Sequence, residues 1–171
     1  VLVSVSPHVA IVEAIGGDWV EVEALQSDGD TCSLVDLRPS MVKRIAQAEL
    51  YFRSGAGLEV AVLDQMKDLN PDCRVVDLRE GLVLRRFLPN DDVEHSHGRG
   101  AHLAWDPHHW LDPVLVREQA GRIGRVLSEM RPAGSEAFAS RLAAFQSRVD
   151  ALIVELQARL QPYRGRAFFI Y

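Results

Sequence analysis

Residues 1–17 read VLVSVSPHVAIVEAIGG and join an apolar run to a helical pattern. The run Val1–Val5 predicts a β-strand. Ser6 and Pro7 come next, and this pair predicts the cap and the first turn of a helix. The apolar positions of that helix recur at helical spacing: Ala10, Ile11, Ala14 and Ile15. Gly16-Gly17 predicts its end, because glycine readily adopts the left-handed conformation found there. The stretch therefore predicts one strand–helix unit.

The same alternation of strand and helix continues to residue 78. The predicted strands are Trp19–Leu25, Glu49–Phe52 and Arg74–Leu78, and the predicted helices start at Pro39 and span Leu58–Leu69. A polar loop, Gln26–Asp36, follows the second strand. Strands that alternate with helices predict a parallel sheet covered on both faces. We therefore predict an α/β fold with a parallel four-stranded sheet flanked by helices.

The second half of the chain is mostly helical. Asp112-Pro113 predicts a helix that runs to about Met130, and Ser135 predicts the cap of a long helix that ends near Leu160. Apolar residues step along this long helix by threes and fours and predict one buried face: Phe138, Leu142, Phe145, Val149, Leu152, Leu156 and Leu160. A final apolar stretch, Ala167–Tyr171, predicts a strand, and we expect the natural protein to continue beyond it.

Composition excludes several classes of protein. The 171 residues are 47% hydrophobic and 25% charged, which is typical of a globular protein. The formal net charge of −5 argues against a nucleic-acid partner. No apolar run reaches the ~18 residues that an integral membrane helix requires. The chain opens on a predicted strand, so either the protein is cytoplasmic or a signal peptide has been removed.

Five of the six histidines lie close together in the sequence. His95, His97 and His102 belong to the loop Leu88–Ala104, which is either a solvated polar loop or a loop that captures zinc. We expect this loop to be mobile without metal, because few apolar residues anchor it. His108 and His109 are adjacent, and side chains alternate in an extended segment, so one is expected to be a ligand and the other a bystander.

Four segments of the sequence resemble one known family. They are residues 4–20 (SVSPHVAIVEAIGGDWV), residues 37–40 (LRPS), residues 54–59 (SGAGLE) and residues 106–113 (DPHHWLDP). The last is the most specific segment. Together they resemble the metal-specific substrate-binding proteins of zinc and manganese ABC importers, and the acidic histidine-rich loop is similar to that of the zinc branch.

The resemblance implies a two-lobed binding protein that is not an enzyme. Residues 1–134 would form the first lobe, 135–162 the long linking helix, and 163–171 the start of a second lobe that holds further ligands. The implied function is capture of Zn²⁺, in preference to Mn²⁺, for delivery to an ABC permease. The protein would work in the periplasm or extracellularly, associated with the membrane through the transporter, and as a monomer.

The resemblance also assigns the metal ligands of the first lobe. His108 matches one family histidine, whereas Ser33 occupies the position of the other, with Cys32 beside it. A thiolate is a good zinc ligand and a serine hydroxyl is a poor one. His8, at the end of the first predicted strand, is another nearby imidazole, and the helix dipole would keep it neutral. The second ligand is therefore Cys32 or His8, or it has been lost.

Two other functions fit the same residues. A zinc hydrolase would use His108, a second histidine and Asp106 with a metal-bound water, and it would also need a general base beside that water. A degenerate relative would bind little metal and use its cleft for a partner protein.

We predict that Cys32 and Cys73 do not form an intramolecular disulfide. Cys73 precedes the fourth predicted strand and Cys32 follows the second, so they lie at opposite ends of a sheet whose five-residue strands span ~17 Å, beyond the ~7 Å Cα limit for a bridge. Thiol counting on denatured, non-reduced protein should find two free thiols. A monomer with none would contradict the prediction.

Overall fold

A computed structural model describes residues 1–26, 39–86 and 105–166 of the chain. The strands in these ranges are β1 (Leu2–Val3), β2 (Glu23–Ala24), β3 (Leu50–Arg53) and β4 (Arg74–Asp77). The helices are α1 (Ser6–Gly16), α2 (Pro39–Gln47), α3 (Glu59–Leu69), α4 (Pro113–Met130) and α5 (Ser135–Leu160). The strand predicted at Ala167–Tyr171 lies outside the described residues. Within the described ranges, no helix is both long enough and apolar enough to cross a membrane.

The four strands form one parallel sheet in the order β2-β1-β3-β4, which confirms the predicted fold class. From β1 the chain connects to β2 on one side and then crosses to β3 on the other. The strand order therefore reverses between β1 and β3. Ligands of open parallel sheets bind beyond the carboxyl ends of the strands at such a reversal. The first residues past those two ends are Ser4 and Ser54.

Alternate strand residues pack on opposite faces of the sheet. Leu2 and Tyr51 join the core cluster on the face that α2 and α3 cover. Val3 and Phe52 join the cluster on the face that α1, α4 and α5 cover. Apolar residues therefore occupy both faces of the central strands, as a parallel sheet between two helical layers requires.

Two of the predicted helix caps are wrong. The residues that precede α1 and α5 are Val5 and Gly134, and neither Ser6 nor Ser135 supplies the cap. The Ser6 hydroxyl instead donates to the carbonyl of Gln26, 3.4 Å away, beyond the end of β2. The predicted helix Asp112–Met130 is confirmed as α4, and the Asp112 carboxylate caps it by accepting from the backbone N–H of Val114 at 2.8 Å.

The first two strands are shorter than predicted. Only Leu2–Val3 of the predicted Val1–Val5 pairs, and α1 begins three residues later. The predicted strand Trp19–Leu25 is reduced to Glu23–Ala24, because Gly17–Trp19 continues α1 as a 3₁₀ turn. Gly17 has a φ of +52°, so the glycine predicted at the helix end does adopt positive φ.

The apolar stripe of α5 is buried over only part of its length. Phe138 is completely buried and Val149 is 8% exposed, whereas Leu152 is 44% and Leu160 is 59% exposed. The predicted continuous buried face is therefore wrong beyond Val149. The physical reason is length: at ~1.5 Å per residue α5 is about 40 Å long and extends past the helices α1 and α4 on which it packs.

Two substitutions on this one stripe should separate its buried and exposed parts. Phe138→Ala should lower the free energy of unfolding of the 171-residue chain by about 3–5 kcal/mol, because it leaves a cavity in the core. Leu152→Ala is the matched control and should change it by about 0.5 kcal/mol or less. Denaturant unfolding measures both free energies, and equal effects would contradict the burial of Phe138 and the exposure of Leu152.

Candidate metal centre

A buried carboxylate organises the carboxyl edge of the sheet. Glu59, in the first turn of α3, is 2% exposed. Its Oε1 atom accepts from the Ser4 hydroxyl at 2.6 Å and from the backbone N–H groups of Ser54, Gly55 and Ala56 at 2.6, 2.7 and 3.0 Å. The residue that follows β1 is thereby fixed against the turn that follows β3.

Further groups surround this carboxylate. The Tyr51 hydroxyl lies 2.9 Å from the Ser4 hydroxyl, which already donates to Glu59, so the tyrosine is the donor of that pair. Burial, reinforced by the nearby Glu59 charge, raises the pKa of Tyr51 well above its usual range. The Arg53 Nε atom lies 3.2 Å from Glu59 Oε2 as an ion pair, although the two atoms are not aligned as a hydrogen bond.

His8 lies in the first turn of α1 and is completely buried. Its Nε2 atom is 2.8 Å from the Gln119 side-chain oxygen, and its Nδ1 atom has no hydrogen-bond partner among the described residues. Burial lowers the pKa of His8 to about 4, against the smaller opposing effect of the Gln119 hydrogen bond. The neutral ring expected from the helix dipole is thus mainly a consequence of desolvation.

His109 is also buried, at 4% exposure, in a short 3₁₀ helix, His109–Leu111. Its Nε2 atom lies 2.8 Å from the carbonyl oxygen of Ser54, and its Nδ1 atom lies 2.9 Å from the Gln119 amide nitrogen. Burial lowers the pKa of His109. His109 therefore points into the lobe and connects α4 to the end of β3.

His108 points the other way, with 48% of its side chain exposed. Its Nδ1 atom lies 2.8 Å from Asp106 Oδ1, and the same oxygen accepts from its backbone N–H at 2.9 Å. Burial alone would raise the pKa of Asp106, but these two hydrogen bonds and the nearby His108 and Arg85 charges lower it. A carboxylate that holds one imidazole nitrogen leaves the other, here Nε2, available to a metal.

One aromatic ring joins the three histidines. The centroid of the Trp110 ring lies 5.9 Å from that of His8, 5.4 Å from that of His108 and 5.5 Å from that of His109. The ring centroids of His8 and His109 lie 5.7 Å apart. The adjacent histidines thus diverge as the sequence led us to expect, although the segment forms a 3₁₀ turn rather than an extended strand.

Most of the other predicted site residues lie outside the described part of the chain. These are Cys32, Ser33, His95, His97 and His102. Cys73 is a free, buried thiol. Across the described ranges, no group of three or more histidine, cysteine, aspartate or glutamate side chains is arranged to hold a metal ion. His8 and His108 therefore do not form a complete site by themselves.

Sequence reasoning missed Gln119 and Glu59. Gln119 interrupts the buried stripe of α4, where Val116, Ala120 and Ile123 share its face at helical spacing. A polar residue on an apolar stripe indicates a buried hydrogen-bonding group, and that signal was available in the sequence. Glu59 follows two glycines at a predicted helix start, a position where a carboxylate can accept from several backbone N–H groups.

The histidine-rich loop is closed at its base. Arg86 and Trp105 pair as an isolated antiparallel bridge, and the Arg86 guanidinium lies 4.5 Å above the Trp105 ring. The backbone N–H of Asp106 donates to the carbonyl of Arg85 at 2.8 Å. The residues that flank segment 87–104 are therefore bonded to each other directly. The second of these contacts involves Asp106, two positions before His108.

Comparison with known proteins covers the whole chain. The model of one family, described as ZnuA, zinc-uptake complex component A, periplasmic, matches residues 1–171. A putative metal-binding protein of Chlamydia trachomatis serovar D is 27% identical over 154 residues, which are 89% of this chain and 50% of that protein. The high-affinity zinc uptake system protein ZnuA of Brucella abortus (strain 2308) is 24% identical over 203 residues, covering 100% of this chain and 61% of that protein.

Solved structures show the same architecture. A crystal structure of ZnuA superposes with a TM-score of 0.82 at 30% identity, over 98% of this chain and 60% of that one. A zinc-bound ZnuA deletion mutant gives a TM-score of 0.80 at 30% identity, over 94% and 58%. The chain thus spans about half to three-fifths of the length of the relatives it matches. Because the family model matches every residue, the chain belongs to the family of the periplasmic zinc-uptake component ZnuA.

Proposed function

We propose that this protein captures Zn²⁺ outside the cytoplasmic membrane and delivers it to an ABC permease. It acts as a monomeric binding protein with no catalytic step. The family match over residues 1–171 supports this function, and so does the similarity to a zinc-bound ZnuA structure. A site built from imidazole and thiolate donors favours Zn²⁺ over Mn²⁺, which prefers oxygen ligands.

The observation that carries the proposal is the geometry of His108. Its imidazole is exposed at the carboxyl edge of the sheet and is held at Nδ1 by Asp106, 2.8 Å away. This arrangement fixes the ring and directs the Nε2 lone pair outward, as in zinc sites in which a carboxylate orients a histidine ligand. The hydrolase alternative also uses Asp106 at the metal, whereas here the Asp106 Oδ1 atom is committed to His108 twice.

The burial of His8 bears on the choice of a second ligand. His8 could coordinate a metal only through Nδ1, since Gln119 occupies Nε2, and the ring has no exposed surface. Coordination by His8 would therefore require the packing around α1 to open. We assign the second ligand to Cys32, whose thiolate is the better donor beside the Ser33 hydroxyl.

The proposal includes a second lobe. Residues 1–134 form the first lobe, 135–162 link the lobes, and the second lobe starts at 163. The exposed apolar residues Leu152 and Leu160 support this division, because they extend the buried stripe of α5 beyond its packing in the first lobe, and the exposed Tyr163 follows directly after the helix. The second lobe supplies the remaining metal ligands.

His108→Ala in the full-length gene product should raise the Kd for zinc at least about 100-fold, since loss of an outer partner alone costs about 10–100-fold. Ser33→Ala should change the Kd by less than about threefold, because a neutral hydroxyl contributes little to zinc binding. Competition with a chromophoric chelator measures both constants.

Two results would contradict this ligand assignment. If Ser33→Ala weakens binding as much as His108→Ala, the hydroxyl, or a water it holds, belongs to the site. If the unmodified protein does not bind zinc, the degenerate-relative interpretation is correct and the transport function is wrong. Cys32→Ala distinguishes the second ligand, and it should weaken binding more than Ser33→Ala does.

Deletion of His95–His102 should leave the fold intact and weaken or slow zinc acquisition at low metal concentration. The paired residues Arg86 and Trp105 close the loop at its base, and shortening a loop changes its closure entropy only slightly. We expect the free energy of unfolding of the metal-free protein to change by about 0.5 kcal/mol or less. Thermal unfolding and stopped-flow zinc uptake measure the two effects.

A triple variant that replaces His95, His97 and His102 with serine is the matched control. It keeps the loop length and removes the imidazoles, so it should reproduce the defect in zinc acquisition. A large loss of thermal stability in the metal-free deletion variant would show that the loop is a structural element.

A further inference from the structure

His108 and His109 are adjacent imidazoles, and either ring has the nitrogen atoms that a metal ligand needs. Both rings contact Trp110 at similar centroid distances, 5.4 and 5.5 Å, and both contain the same donor atoms. What distinguishes them is their hydrogen bonding: Asp106 holds His108 at the surface, whereas Ser54 and Gln119 hold His109 inside.

Ser54, His109, Gln119 and His8 form a buried series of hydrogen bonds, and the Ser54 carbonyl fixes the proton positions along it. The Ser54 carbonyl can only accept, so His109 Nε2 donates to it, and Nδ1 of the neutral ring must accept from the Gln119 amide. The oxygen of that amide then accepts from His8 Nε2. A neutral amide is suited to this place because it donates at one end and accepts at the other.

Gln119 is the only described side chain that donates to His109 Nδ1. Without it, a nitrogen lone pair would remain unpaired in a position that is 4% exposed. Turning His109 outward would relieve that cost, because water could then solvate the ring. The 3₁₀ turn would have to rotate for this, which would disturb the contact between His108 and Asp106.

We propose that Gln119 is a positioning residue that holds His109 inside the lobe, so that His108 alone faces the metal. This role rests on the proposed function. Gln119 does not touch the metal in this arrangement. It acts through His109, by making one of two possible orientations of the His108-His109 pair more stable than the other.

The test combines zinc affinity with the tautomers of the histidine rings in the full-length gene product. Gln119→Leu should raise the Kd for zinc about tenfold, in the range seen when an outer partner of a metal ligand is lost. In long-range ¹H–¹⁵N spectra of the metal-free protein, His109 should change from one Nε2–H tautomer to a mixture. Zinc should then perturb both His108 and His109, instead of His108 alone.

A double variant separates positioning from a purely structural role. His109→Leu added to Gln119→Leu removes the competing ring, so the Kd should return to within about threefold of the unmodified protein. Both variants leave His8 without its amide partner, so that effect cancels in the comparison. Gln119→Met, which keeps the side-chain length, replaces the leucine variant if the latter does not fold. Gln65→Leu, at an exposed position on α3, is the matched control and should leave both measurements unchanged.

The possible failures are distinct. If Gln119→Leu keeps the original affinity and a single His109 tautomer, Gln119 has no positioning role. If the double variant binds no better than the single variant, Gln119 is structural and the proposal is wrong. If the unmodified protein does not bind zinc, the proposed function is wrong, and so is the positioning role of Gln119 in zinc binding. The tautomer spectra would still report whether Gln119 fixes the His109 ring.

Discussion

The buried carboxylate of Glu59 is the constraint on which the site edge depends. A charge at 2% exposure must be compensated, and here the hydroxyls of Ser4 and Ser54 and three consecutive backbone N–H groups converge on a single oxygen. These donors fix the conformation of the turn after β3. That turn places the Ser54 carbonyl where it accepts a hydrogen bond from His109 Nε2. Through Ser54, the Glu59 carboxylate thus determines the placement of the histidine segment.

From Ser54 the polar chain continues through His109 and Gln119 to His8, and it crosses from the end of β3 to the start of α1. Most buried contacts between these elements are apolar, and apolar contacts are not directional. The three hydrogen bonds add direction to them. They hold both rings in defined orientations, which apolar packing alone would not do, whereas burial lowers the pKa of each ring.

The sequence predicted the alternation of strands and helices, the helix start at Asp112-Pro113 and the divergence of the two adjacent histidines, because these depend on local patterns. It overestimated β1 and β2, since pairing depends on how far two strands run side by side before a turn intervenes. It did not reveal the hydrogen-bonded series through Gln119. Residues 8, 54, 109 and 119 are far apart in the sequence, and their proximity can be deduced only from the sheet order and the helix packing. Polar residues on predicted buried faces, such as Gln119, are the positions at which long-range hydrogen bonds of this kind can be expected.

The bridge between Arg86 and Trp105 bears on how such a protein can change over evolutionary time. Arg86 and Trp105 are paired directly, so the ends of segment 87–104 lie next to each other. This segment can therefore gain or lose residues without moving the sheet or the His108 segment. Doubling its length would cost only about 0.6 kcal/mol of closure entropy. The site and the loop can therefore diverge at different rates, because buried hydrogen bonds constrain the first and the paired residues Arg86 and Trp105 anchor the two ends of the second.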